Sequence, residues 1–358
     1  MALIPTTQHD CSRERCITGA VLVNIRTFKS DSQPLDRAGA NPLRDALIDA
    51  GLLISTGVQG LFGRSEQFEC VVNALSELIA RVGAEQNTEA LRFPPVMSRL
   101  EFERSEYMKS FPQLVGTVHT FCGDEHEQRR VLQCLDRGED WTGNQKPTYL
   151  VMTPAACYPV YPVIARRGPL PDEGRIVDLY SYCFRHEPSL DPTRMQLFQQ
   201  REYVRFGTPQ QVIAFREIWL ERARRMFEGL QLPYEINIAH DPFFGRYAKF
   251  AKASQREQTL KFELLVSIEY DARLTACLSF NYHKDRFGLL WNIRTAAGEV
   301  AHTGCVGGGL ERIALALFRH HGFDSNEWPL AVRDALWGTQ ENCVAEPACH
   351  SSVALNRL

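Results

Sequence analysis

RIVDLYSYCFRHEPSLDPTRMQLFQQREYVRF, residues 175–206, is the stretch on which the fold turns. Residues 176–184 are rich in β-branched and aromatic side chains and read as a strand. Pro188, Ser189, Asp191 and Pro192 then mark an irregular loop, and residues 195–206 resume as a second strand. This hairpin carries Arg185, His186 and Glu187 at the end of its first strand, and Phe198 and Glu202 on its second. Period-two geometry puts Phe198, Gln200 and Glu202 on one face, so an aromatic platform and a carboxylate point into the same space. Such a surface suits an adenine ring with a second ligand beside it.

Downstream, Pro209 opens a long amphipathic pattern over 210–230, with Val212, Ile213, Phe215, Ile218, Trp219, Ala223, Met226 and Phe227 as the expected buried side. Residues 232–239, 262–270 and 275–282 read as strands, and 287–293 as a further one. His302, Thr303, Gly304, Cys305 and Val306 run into three glycines and a helix over 310–321. Upstream, Asn41 and Pro42 open a short helix over 43–50 that Gly51 ends. Residues 65–82 carry Phe68, Val71, Val72, Leu75, Leu78 and Ile79 at helical spacing. Residues 96–107 read as a strand or connector at a subunit contact, 125–136 as a helix, and 149–154 as a strand leading to Cys157. Pro159 and Pro162 leave 160–166 unassigned. The late strands follow one another without intervening helices, which predicts an α+β fold built on an antiparallel sheet flanked by helices. GGGLERI opens no βαβ unit with an acidic residue about 20 positions on, so a dinucleotide-binding fold is not expected.

The chain has 358 residues, 44% of them hydrophobic, enough for a substantial core in one large domain or two. A net charge of −3 and a pI near 6.4 argue against an extended nucleic-acid surface. No apolar run reaches the length of about 18 residues that a membrane helix needs. The first residues also lack the continuous apolar segment of a secretory signal. Eleven cysteines, an odd number without C-x-x-C pairs, fit free thiols in a reducing cytoplasm.

The hairpin FRHE…R…F…QRE resembles motif 2 of class II aminoacyl-tRNA synthetases, and GGGLER, ending in Arg312, resembles their motif 3. TPAACYPVYP (153–162), QREYVRFGTP (200–209), DPFFGR (241–246), SQREQTLKFEL (254–264) and HTGCVGGGLER (302–312) narrow the likeness. Together they resemble the amino acid:[carrier protein] ligases, homologues of the atypical, zinc-dependent seryl-tRNA synthetases that lack the tRNA-binding domain. The resemblance covers roughly residues 90–325. It implies a class II synthetase-like catalytic domain over 57–358, preceded by an extension over 1–56 that is partly disordered or loosely packed.

The resemblance also implies roles. Attack of a carboxylate on the α-phosphorus of ATP builds negative charge, which a guanidinium binds bidentately and without losing its own charge. Arg185 matches the motif-2 arginine at the α-phosphate, and Arg312 the motif-3 arginine at the γ-phosphate. Glu187 would accept from the adenine amino group, Phe198 would stack on the ring, and Arg194 would reach the outer phosphates. Met195, Cys277, Leu278, Ser279 and Asn281 match family positions beside the nucleotide, and Mg²⁺ would neutralise the pyrophosphate. Cys157, Glu202 and Cys305 occupy the positions that hold Zn²⁺ in this family. Three protein ligands leave one tetrahedral position open for the amine of a substrate amino acid. His302 is a weaker competitor for the metal, and Cys183 and Cys277 read as packing residues. Asp241 is expected at the amino-acid pocket, equally readable as a turn aspartate.

The implied reaction is ATP-dependent activation of a small amino acid, glycine or alanine, and its transfer to the phosphopantetheine thiol of a carrier protein. The basic segment 246–261 is a candidate docking surface for that acidic partner, or simply a solvated helix face. A homodimer is implied by the class II likeness, and neither tRNA nor a membrane is expected as a partner. The alternatives are a seryl-tRNA synthetase and a catalytically silent regulatory paralogue. The second would be marked by loss of Arg185 or Arg312, and both are present.

Overall fold

The computed structural model describes residues 41–338 apart from positions 86, 242–248, 250–252, 254, 257 and 272. The first 40 residues of the expected extension and half of the basic segment 246–261 lie outside the described residues.

α1 (Pro42–Asp49) starts where the Asn41 side chain accepts the Arg44 amide at 2.8 Å, and Pro42 fills a position whose N–H needs no partner. β1 (Leu53–Ser55) and β2 (Phe62–Arg64) make a small antiparallel ribbon. α2 (Glu66–Gly83), capped by Ser65, buries the apolar stripe expected of it. β3 (Thr88–Arg92), β4 (Val96–Ser98), α3 (Arg99–Arg104), α4 (Tyr107–Ser110), β5 (Thr117–Phe121), α5 (Glu125–Arg137), β6 (Gln145–Met152) and α6 (Val160–Arg166) follow. The hairpin is β7 (Arg175–Phe184) and β8 (Leu197–Gly207), paired from Arg175↔Phe206 to Phe184↔Leu197. α7 (Pro209–Gly229) opens on a Thr208/Gln211 capping box. After it come β9 (Glu235–Ile238), β10 (Lys261–Ser267), β11 (Leu274–Lys284), α8 (Arg286–Trp291), β12 (His302–Gly309), α9 (Leu310–His321) and α10 (Leu330–Trp337).

Seven strands form one sheet in the order β3-β7-β8-β12-β11-β10-β9. All neighbours run antiparallel except β3, which joins β7 in parallel. One face carries the main core, where Val306 of β12, Phe280 of β11 and Tyr203 of β8 meet Phe68, Leu75, Trp219, Phe227, Ile313 and Leu317 from α2, α7 and α9. The other face holds a second core from α6 and α8 against Val177, Val204, Phe206 and Cys305. Alternation along β12 thus turns Val306 to the helices and Cys305 to the opposite side. β4, β6 and β5 make a separate three-stranded antiparallel sheet.

Several expectations change. The apolar run expected as a strand over 287–293 is α8, a short helix whose Phe287 and Trp291, one turn apart, pack on Tyr161 at ring distances of 4.2 and 5.3 Å. Periodicity cannot separate strand from helix in so short a run. Of 96–107, only β4 is extended; α3 follows, and a turn at Ser105 and Glu106 leads into α4. Ile213 and Ile218 are 41% and 47% exposed, at about 120° and 100° round the helix from the buried Trp219. Pro162 sits in the first turn of α6, where a missing N–H costs nothing. No break in the core marks the boundary expected at 56/57: Leu43, Leu47, Leu52 and Leu53 are all buried in the main core.

Candidate active site

β8, β11 and β12 lie side by side, and one set of alternate residues from each faces a cleft of about 660 Å³. Gln200 and Glu202 come from β8, Ser279 and Asn281 from β11, and Cys305 and Gly307 from β12. Cys157, Arg185, Glu187, Arg194, Asp241 and Arg312 close round the same space. An adjoining recess of about 80 Å³ is lined by Arg185, Glu187, Met195, Phe198, Cys277 and Arg312. Every residue expected at the site therefore meets here except Leu278, whose side chain is turned into the main core.

Arg185 leaves the end of β7 with its amide tied to the Gln196 carbonyl, and its guanidinium lies 5.4 Å from the Phe198 ring centroid. Its Nε donates to the Pro154 carbonyl at 3.1 Å. Arg312, in the first turn of α9, donates to the carbonyls of Thr193 at 2.7 Å and Ala276 at 3.0 Å. Among the described residues neither guanidinium is in an ion pair, so two positive charges face the cleft held by neutral carbonyls. Burial, and then the charges of Arg185 and Arg194, push the Arg312 guanidinium down. An anion between them relieves that repulsion. Arg194 is half exposed, beside Glu187 at 3.5 Å.

The metal-ligand candidates converge from three segments. Gln200 and Glu202 hold the loop after β6 by accepting the amides of Ala156 at 3.1 Å and Cys157 at 2.6 Å. The other Glu202 oxygen lies 3.8 Å from Cys305 Sγ, and the ligand atoms of Cys157, Glu202 and Cys305 all lie within 4.8 Å of one another. All three are buried. Burial, and next the Cys305 charge, push the Glu202 carboxyl up to about 8. The hydrogen bond between the two thiols raises Cys157 and lowers Cys305. A buried carboxyl group between two sulfurs is a donor set that fits Zn²⁺, and Cys157, Glu202 and Cys305 are the residues that would hold it.

The histidine beside this cluster is not His302, the weak competitor weighed from the sequence. His302 lies on the opposite side of β12 from Cys305, with Nδ1 2.5 Å from the Tyr282 hydroxyl. His283 takes that place, 3.6 Å from Cys305 Sγ, and no local pattern marks it. Lys261 and Glu263 were also missed: Lys261 Nζ bridges Asp241 at 2.6 Å and Glu263 at 2.8 Å in the wall of the cleft. Burial would raise the Asp241 carboxyl, but the Lys261 ammonium beside it holds it below the usual carboxylate range.

With that geometry in hand, comparison with known proteins decides the family. Amino acid–[acyl-carrier-protein] ligase 1 of Bradyrhizobium diazoefficiens is 48% identical over 306 residues, 86% of this chain and 93% of its own. The chain belongs to the amino acid–[acyl-carrier-protein] ligases. A second such ligase of the same organism is 48% identical over 297 residues, covering 83% of this chain and 88% of its own. More distantly, the ligase is 28% identical over 284 residues to the type-2 serine–tRNA ligase of Methanopyrus kandleri, 72% of this chain but 53% of that one. No protein-family model matches. Among solved structures, M. kandleri seryl-tRNA synthetase in complex with A. aeolicus tRNASec superimposes with a TM-score of 0.69 at 22% identity, over 88% of this chain and 65% of that one. Seryl-tRNA synthetase from Pyrococcus horikoshii complexed with ATP gives 0.59 at 15% identity, over 78% and 58%. The ligase thus has the class II aminoacyl-tRNA synthetase fold.

Proposed function

We propose that this ligase activates a small amino acid, glycine or alanine, with ATP and passes the aminoacyl group from the adenylate to the phosphopantetheine thiol of a carrier protein. The observation that carries the reading is the meeting, in one cleft, of two guanidinium groups without carboxylate partners and a buried Cys157–Glu202–Cys305 cluster. Arg185 is assigned to the α-phosphate and Arg312 to the γ-phosphate, where fixed positive charge lowers the barrier most. Phe198 supplies a face for the adenine and Glu187 an acceptor for its amino group. Arg194 is assigned to the outer phosphates together with Mg²⁺.

A bound Zn²⁺ would supply a Lewis-acidic position for the substrate amine. The chain's own part is to hold that amine and the carboxylate in line with the α-phosphorus, which is worth orders of magnitude in rate. Asp241, Lys261 and Glu263 lock one wall of the cleft in salt bridges, and Tyr107 and Tyr158 fill another, which supports a small side chain as substrate. Residues 57–358 are proposed as the catalytic unit, with the leucines of α1 and β1 packed onto its core.

A homodimer is supported by an uncovered surface. No residue of α5 is buried, and Leu132 and Leu135 on it are 49% and 47% exposed. Phe121 and Leu150 of the neighbouring small sheet are 39% and 42% exposed, and Tyr149 is 89% exposed. Exposed apolar side chains on these elements are what contact between two copies would cover. Among the described residues no helix is long and apolar enough to cross a membrane, and the described cysteines are free thiols, which supports a reducing compartment such as the cytoplasm.

Pyrophosphate exchange across the twenty amino acids, followed by acceptor assays with a phosphopantetheinylated carrier protein and with tRNA, tests the reading. Exchange with glycine or alanine and loading of the carrier alone is expected. Charging of tRNA, or no exchange with any amino acid, would overturn it.

A further inference from the structure

β11 and β12 run in register from Leu278↔Gly308 to Tyr282↔Gly304, then slip, so that Lys284 pairs with Thr303 and His283 is left as the extra residue of a bulge. Bulges beside active sites re-aim a side chain at the cost of a broken ladder. Lys284 takes a φ of +54°, in the left-handed region that side chains rarely adopt, and so bears part of that cost.

The bulge aims His283 at the metal cluster. Its Nε2 lies 3.6 Å from Cys305 Sγ and its Nδ1 3.1 Å from the hydroxyl of Thr303, a residue with no exposed surface. The ring stands edge-on to Phe287 at 4.9 Å. Asn281 Nδ2 donates to the same sulfur at 3.4 Å. His283 itself is no member of the cluster, whose ligand atoms lie within 4.8 Å of one another.

From this geometry we infer that His283 is a positioning residue for the Cys305 thiolate, with Thr303 setting its tautomer. The Thr303 hydroxyl donates to Nδ1, which leaves the proton on Nε2, pointing at sulfur. Cys305 then accepts two N–H donors, from His283 and Asn281, and its lone pairs are divided between those donors and a metal. Partners of this kind fix a ligand's direction and tune the metal, and their loss weakens metal affinity by about 10–100-fold. The inference rests on Cys157, Glu202 and Cys305 holding Zn²⁺.

Metal content of the purified protein is measured first, and then zinc affinity by chelator competition for His283→Phe, His283→Gln and Thr303→Val. Phe keeps the ring against Phe287 without a donor, Gln restores an N–H, and Val keeps the shape of Thr303 without its hydroxyl. Zinc should bind about 10–100-fold more weakly to His283→Phe, more weakly also to Thr303→Val, and closer to the parent in His283→Gln. The sulfur-to-metal charge-transfer band of the cobalt-substituted protein should move in the same order. The KM for the amino acid should rise while that for ATP holds. A parent that binds zinc and variants within twofold of it, with an unmoved band, would overturn this role while leaving the metal reading intact. A parent that binds no metal removes both. Thr303→Val keeps the test open if His283→Phe fails to fold.

Discussion

Glu202 and Gly307 stand opposite each other on β8 and β12, and the carboxylate side chain of the first occupies the space that the second leaves by having no side chain. A Cβ built on Gly307 meets Glu202 Cγ at 2.6 Å and Oε1 at 2.7 Å. Gly307→Ala should therefore displace the carboxylate, with an overpacking cost of about 1–3 kcal/mol in thermal or denaturant melts. Bound metal per chain should fall with it. Unchanged metal content in a folded Gly307→Ala protein would show that the close approach is incidental.

Cys305→Ala removes one of the two sulfurs, and amino-acid-dependent pyrophosphate exchange should disappear along with bound zinc. Elemental analysis and the exchange assay read this directly. Wild-type exchange in protein without metal would end the zinc proposal.

Arg185→Lys and Arg312→Lys each keep a charge but lose the planar fork. Because the guanidinium groups are anchored by the carbonyls of Pro154, Thr193 and Ala276, a flexible ammonium cannot be held in the same place. Losing one transition-state donor costs about 10²–10³ in kcat, and steady-state exchange kinetics should show a loss in this range. A change confined to KM would mean that these groups bind the ground state only.

Beside the smaller recess, Glu311 accepts the Gln199 amide on both oxygens, at 2.8 and 2.9 Å, and pairs with Arg64. Burial pushes its carboxyl up to about 7, against the Arg64 charge. Since the folded value lies above the unfolded one, the folded chain holds this proton more tightly. The associated stability is complete below about pH 4.5 and is lost as pH rises through about 7, at roughly 1.4 kcal/mol for each tenfold by which folding tightens the proton. Melts of the parent and Glu311→Gln from pH 5 to 8 should show the parent losing stability relative to the variant. Parallel curves would count against it.

Leu132→Glu with Leu135→Glu places two charges on the uncovered face of α5. The protein should sediment at half the parent's mass if that face joins two copies. A parent that is already monomeric would remove the dimer from the reading.

Much of the architecture was legible because long periodic segments bury one stripe: α2 and α9 lie within a residue or two of the patterns read from Phe68–Ile79 spacing and from GGGLER. The hairpin was legible from its β-branched runs and its Pro-bounded loop. α8 was not, since FGLLW is too short to show a period, and its helicity comes from Tyr161 packing on Phe287 and Trp291. Strand alternation put Phe198, Gln200 and Glu202 on one face, but the grouping of Cys157, Glu202 and Cys305 came only through resemblance, since they share no local spacing. His283 went unread, because no spacing in the sequence says which residue a bulge will turn inward.

The three sulfur and oxygen donors come from positions separated by 45 and 103 residues along the chain. An unfolded chain offers no chelating motif, so an ion with that preference favours only the finished sheet and adds its binding energy to the fold's own. If Cys157, Glu202 and Cys305 hold such an ion, a cell short of it would carry chains less stable by that binding energy.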